Sequence, residues 1–144
     1  MYKYLNVHPE GKRVGDCVKR AITTATGFPY ESISLALNRY KKKTGAKTYN
    51  EWHKNVVPFM EERLGAEKKS FPAVKGMKRM DGETFCKMYS KGNYVLQFAN
   101  HVSACIDGVI YDTWNPSHKA VYTAHKICMN DTISIESICE KVRR

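Results

Sequence analysis

An Asp-Gly dipeptide between two short β-prone runs constrains this chain more than any other feature of its sequence. Val102 to Ile106 precedes it and Val109-Ile110-Tyr111 follows. Asp107-Gly108 suits a two-residue type I′ turn, in which both central residues take positive φ. Such a turn fixes the register: Ile106 opposite Val109, Cys105 opposite Ile110, Ala104 opposite Tyr111 and Ser103 opposite Asp112. Side chains alternate along a strand, so His101, Ser103 and Asp112 then project from one side of the ribbon. Asp112 becomes a diagonal neighbour of His101, within reach of a carboxylate–imidazole hydrogen bond. Trp114, opposite His101 on that side, is placed to shield the pair from water.

Upstream of the hairpin the period is helical. Asp16 is the expected N-cap of a helix from Cys17 to about Thr26, with Val18, Ala21, Ile22 and Ala25 as its apolar stripe and Gly27 as its stop. A second helix is expected from near Pro29, as a first-turn residue, to about Lys43, burying Ile33, Ala36, Leu37 and Tyr40. A third starts at a capping box, Thr48-Tyr49-Asn50-Glu51, and carries Trp52, Val56, Phe59, Met60 and Leu64 inward, with Pro58 kinking or splitting it. Asp81 caps a short helix from about Gly82 to Ser90. Tyr94 to Phe98 and Ala120 to Thr123 read as further strands. Met1 to Lys12 reads as extended, then loop-like. From Ile127 onward the pattern suits strand or helix, with Ile135, Ile138 and Val142 on one helical face. Helices first and antiparallel strands last describe an α+β fold, and without repeats or linkers residues 1–144 are expected to form a single domain.

Composition narrows the function classes. No window approaches the ~18 apolar residues of a transmembrane helix, and the first residues lack the apolar core of a signal peptide, so a cytoplasmic, non-membrane protein is expected. The five cysteines are odd in number and irregularly spaced. Free thiols in a reducing compartment are expected, and no zinc-ligand spacing occurs, so neither metal nor cofactor is expected. The net charge is +10, with basic clusters at Lys41-Lys42-Lys43, Lys68-Lys69 and Lys75 to Arg79. Such a balance favours contact with nucleic acid, anionic surfaces or acidic proteins, the alternative being a solvated basic face. Nothing in the sequence specifies an oligomeric state.

One cysteine stands where its chemistry changes. A thiolate is the reactive form, and a helix N-terminus or a nearby imidazolium lowers a thiol pKa. Cys17 occupies the first position of the first helix, near unpaired backbone N–H groups. Asp16 works against the thiolate, so a basic partner is required, and His101 is the candidate, with Asp112 fixing its tautomer. An oxyanion hole would take the Cys17 backbone N–H as one donor and a side-chain amide as the other: Asn6 first, then Gln97 and Asn100. Cys105 reads as packed in mid-strand, Cys86 falls on a short helix without a nearby acid–base partner in sequence, and His53, His118 and His125 read as surface residues. Asn115 could stand in for Asp112, but alternation points it to the other face.

Gly15-Asp16-Cys17-Val18-Lys19-Arg20-Ala21-Ile22 with Thr26-Gly27 and Tyr30 resembles the opening of small papain-like cysteine-protease-fold proteins encoded by phages and prophages. Gly92 to Leu96, Asn100-His101-Val102 and Ile106 to Trp114 resemble their C-terminal hairpin. Together these blocks cover about a third of the chain. The resemblance implies a papain-like fold with Cys17 as nucleophile, His101 as base and Asp112 as orienting residue, in the host cytoplasm if phage-encoded. It also brings Asn6-Val7-His8-Pro9 toward the site. The expected function is a cysteine hydrolase (peptidase, isopeptidase or amidase) that forms a thioester with a protein or peptide substrate. The alternative is a non-catalytic binding module of the same fold that contacts nucleic acid or an acidic protein through its basic face.

Overall fold

Apolar stripes on two glycine-terminated helices set the first layer. In the computed structural model, which describes residues 1–140, α1 spans Cys17–Thr26 and α2 spans Tyr30–Thr44. Gly27 and Gly45 follow them in the left-handed conformation, and each donates its N–H back into the last turn. Pro29 stands just outside α2 with ψ 143° rather than in its first turn. Val18, Ala21, Ile22 and Ala25 of α1 meet Ile33, Ala36 and Leu37 of α2 in one buried cluster.

The expected third helix divides. Residues Trp52–Val56 make a π-helical turn and α3 covers Val57–Arg63. Pro58 lies in the first turn of α3, directly after the π-helical turn. The capping box does not form, because the Glu51 carboxylate accepts from the Lys47 N–H at 2.5 Å instead of closing on Thr48.

Six strands form one mixed sheet: β1 (Tyr2–Tyr4), β2 (Glu67–Ser70), β3 (Asn93–Phe98), β4 (His101–Ile106), β5 (Val109–Asp112) and β6 (Thr123–Ile127). Their spatial order is β1-β5-β4-β3-β6-β2, with β1 parallel to β5 and every other pair antiparallel. β4 and β5 adopt the expected register from Ile106 opposite Val109 to Ala104 opposite Tyr111. Asp107 and Gly108 take φ values of 47° and 78°, as a type I′ turn requires. Alternation sorts the sheet's side chains: Val95, Val102 and Ala104 join the α1–α3 core, while Tyr94, Leu96, Phe98, Cys105 and Ile110 pack with Phe85 of α4 (Gly82–Met88). Asp81 caps α4, accepting from the Thr84 N–H.

Three segments differ from expectation. The strand expected at Ala120 to Thr123 begins only at Thr123; Ala120 makes an isolated bridge to Asp81, and Val121 hydrogen-bonds Met80. Glu67-Lys68-Lys69-Ser70 is a strand although no apolar residue drives it, because its ladder with β6 supplies the stabilisation. The tail forms a short helix, α5 (Ile135–Ile138), opened by a Ser134/Ser137 capping box; Val142 lies outside the described residues. Among those residues no helix is long and apolar enough to cross a membrane.

The turn that sets the β4–β5 register is sterically exacting. A Cβ at Gly108 would stand 3.0 Å from the Cys86 carbonyl oxygen, at a φ that disfavours side chains. Gly108→Ala is expected to cost about 1–3 kcal/mol. A urea titration should show a lower midpoint at unchanged slope.

Candidate active site

The site is built from the start of α1, the start of β4 and the end of β5. Asp16 precedes Cys17 but does not cap the helix; no cap bond forms from its side chain. Its Oδ1 accepts from Arg20 Nε at 2.8 Å and its Oδ2 from the Tyr30 hydroxyl at 2.8 Å. A guanidinium one turn along α1 and a phenol from α2 compete successfully for the carboxylate. The charge expected to oppose a Cys17 thiolate is thereby balanced by Arg20.

Arg20 also reaches across to the sheet, its Nη1 donating to Asp112 Oδ1 at 2.8 Å. The Asp112 carboxylate is almost wholly buried and fully engaged. Oδ1 also takes the Thr113 N–H at 2.7 Å, while Oδ2 takes the Ser103 hydroxyl and His101 Nε2, the latter at 2.6 Å. Burial raises its pKa, but the bonds from His101, Ser103 and Arg20 outweigh burial and hold it at about 2. The sequence-derived side-by-side placement of His101, Ser103 and Asp112 is thus observed as direct bonding.

His101 follows a two-residue turn whose Asn100 has a φ of 53°, a conformation asparagine tolerates. Burial pushes its pKa down, yet Asp112 and Cys17 push it further up, to about 9. With Nε2 on Asp112, Nδ1 is the ring nitrogen left for Cys17. The thiol responds in turn: burial raises its pKa, but the hydrogen-bonding and charge of His101, the Val102 backbone and the charge of Arg20 bring it below the ordinary thiol range. Between the lowered thiol value and about pH 9, the proton therefore resides on the ring and the pair is thiolate and imidazolium. Trp114 lies against the ring at a centroid distance of 4.5 Å, its outer face open to solvent.

Cys17 and His101 open into a cleft of about 370 Å³, bordered by Asn50 and Trp52 ahead of α3 and by Gln97 and Asn100 around the β3–β4 turn. Two of the three amide candidates, Gln97 and Asn100, therefore border the cleft. Thr123 Oγ1 donates to Gln97 Oε1 at 2.9 Å, which leaves the N–H₂ group as the amide's donor end. Asn6 is not at the cleft. Its Nδ2 donates to the carbonyls of Gly11 and Lys12 and its Oδ1 accepts from His8 N–H, so it braces its own loop. Asn115 likewise serves a turn, accepting from Ser117 N–H.

Sequence reasoning missed several residues. Arg20 carried a usable signal, the Asp16–Arg20 i,i+4 spacing on one helix face. Asn50 and Trp52 carried none, since their place at the cleft depends on the π-helical turn. His125, read as a surface residue, is fully buried: β6 is an interior strand, and the ring packs edge-on to Trp52 with Nε2 3.3 Å from Glu61 Oε2. Among the described residues, no three His, Cys, Asp or Glu side chains converge as a metal site would require. Compared with known protein families, curated proteins and solved structures, the chain matches none.

Removing the guanidinium leaves two buried carboxylates uncompensated, so Arg20→Met is expected to destabilise by about 3–5 kcal/mol. The penalty should shrink when Asp16→Asn is added, a coupling that a double-mutant cycle in urea measures. The Asp112 carboxyl is depressed from 3.8 to about 2, so its stabilisation is complete above its unfolded value and lost as pH falls through the folded one. The stability gap between the wild type and Asp112→Asn should accordingly be constant above about pH 4.5 and close toward pH 2.

Proposed function

We propose that this chain is a papain-like cysteine hydrolase that cleaves a peptide, isopeptide or other amide bond of a protein substrate through a thioester on Cys17. One observation carries the proposal: a thiol with lowered pKa shares an open cleft with an imidazole that is anchored by a buried carboxylate. The α+β order, helices preceding the antiparallel hairpin that bears the imidazole, is compatible with that family's architecture.

The chemistry follows from the charges. The Cys17 thiolate attacks the carbonyl carbon, and the oxyanion is met by the Cys17 backbone N–H and an amide from Gln97 or Asn100. As the tetrahedral adduct collapses, the C–N bond breaks and the leaving amine takes the imidazolium proton, leaving a thioester and a neutral ring. His101 then deprotonates a water molecule, which attacks the thioester. Collapse of that adduct releases the carboxylic acid and restores the thiolate–imidazolium pair. Asp112 stays ionised throughout, holding the ring and stabilising its charged form.

Alkylation by iodoacetamide tests the nucleophile. Cys17 should react at least about tenfold faster near neutral pH than Cys128, the exposed thiol, and His101→Ala should erase that difference. Labelling of Cys17 no faster than Cys128 would remove the hydrolase reading and leave the binding-module reading. With a peptide amide substrate, the rate should rise as the thiol ionises and fall as pH passes about 9, where the imidazolium acid is lost.

A further inference from the structure

Charge and an open sheet edge coincide at β2. This strand ends the sheet, paired only with β6 from Glu67 opposite Lys126 to Ser70 opposite Thr123. In an edge strand, alternate backbone N–H and C=O groups point away from the ladder and can receive another strand. Between Glu67 and Arg79 there are five basic residues (Lys68, Lys69, Lys75, Lys78 and Arg79) and one acid, Glu67. Two of the five are partly committed: Arg79 stacks on Tyr122 at 4.3 Å and donates to the Phe71 carbonyl, and Lys69 lies over the Tyr89 ring at 5.6 Å. Lys68, Lys75 and Lys78 are exposed.

Beyond β2 the chain leaves the sheet after Phe71, whose N–H donates to Tyr122 O, and rejoins it at Met80, whose carbonyl accepts from Val121 N–H. The excursion turns through Lys75 and Gly76, with Met77 N–H bonded to Val74 O at 3.0 Å. That turn holds Val74 and Met77 out at 55% and 72% exposure. With Ser70, Phe71 and Met80 they line a groove of about 390 Å³ at the end of β2.

These features select among partners. Lysines on an edge repel a second copy of that edge, so self-pairing is disfavoured. The same charges favour a strand bearing Asp or Glu, because opposite charges on facing strands attract. Single-stranded nucleic acid would use the lysines, but it binds through aromatic stacking platforms, and the two side chains held out here are aliphatic. We propose that the outer edge of β2 and the adjoining groove dock an extended, acidic protein segment as an added strand, one of its apolar side chains seated between Val74 and Met77. Ser70 pairs with Thr123, which pairs with Gln97 at the cleft border, so the docked segment would lie about three strand spacings, roughly 14 Å, from the cleft. The docking itself does not depend on Cys17.

The test uses the full chain and a fluorescein-labelled nonapeptide of alternating glutamate and valine, followed by fluorescence anisotropy and hydrogen exchange. Saturable binding is expected, with slowed exchange of the amides of residues 67–70. Lys68→Glu and Met77→Ser, both at exposed side chains, should each weaken binding at least tenfold at unchanged thermal midpoint. Cys17→Ala should bind as the wild type does, which separates this outcome from failure of the hydrolase reading. No saturable binding up to millimolar peptide, protection appearing away from β2, or equal affinity for a fifteen-nucleotide oligothymidine would each overturn the proposal.

Discussion

A single guanidinium joins the parts of the molecule on which the Cys17 chemistry depends. Arg20 stands between Asp16, just ahead of α1, and Asp112, at the end of β5, each bonded at 2.8 Å. From Asp16 through Arg20, Asp112 and His101 to Cys17 the charges alternate in sign, and each member is stabilised by its neighbours. Tyr30, Ser103 and the Thr113 N–H fill the remaining acceptor positions on the two carboxylates. Such a buried charge chain is a poor source of net stability, because every member loses its hydration. What it provides is placement: α1 can dock on the sheet in only one way that leaves neither carboxylate unpaired.

The local rules written in the sequence carry much of this arrangement. Asp107-Gly108 is a turn that few other conformations accommodate, and from its register the neighbourhood of His101, Ser103 and Asp112 follows by alternation alone. Glycines after α1 and α2, and Asp81 before α4, mark element ends for equally local reasons. The remainder needed three-dimensional information. Asp16 has the residue type and position of a cap, yet Arg20 and Tyr30 hold its carboxylate. β2 is a strand because β6 offers it a ladder, a reason invisible in Glu-Lys-Lys-Ser. Trp52 and Asn50 border the cleft through the chain's path ahead of Pro58, and His125 is buried because β6 is an interior strand and Trp52 packs against its ring.

The sheet also separates two apolar environments with different tasks. The cluster beneath α1 and α2 fixes the helix that bears the sulfur, and the cluster around Phe85, Phe98 and Ile110 stiffens the hairpin that bears the ring.

Cys17 rides on the first helix, and the group that alters its acidity sits on a strand laid down much later in the chain. During synthesis the sulfur emerges long before the imidazole exists, and until α1 docks on the finished hairpin it is an ordinary thiol. Until the imidazole is in place, a nascent or partly opened chain therefore carries at Cys17 a sulfur no more reactive than an unperturbed thiol.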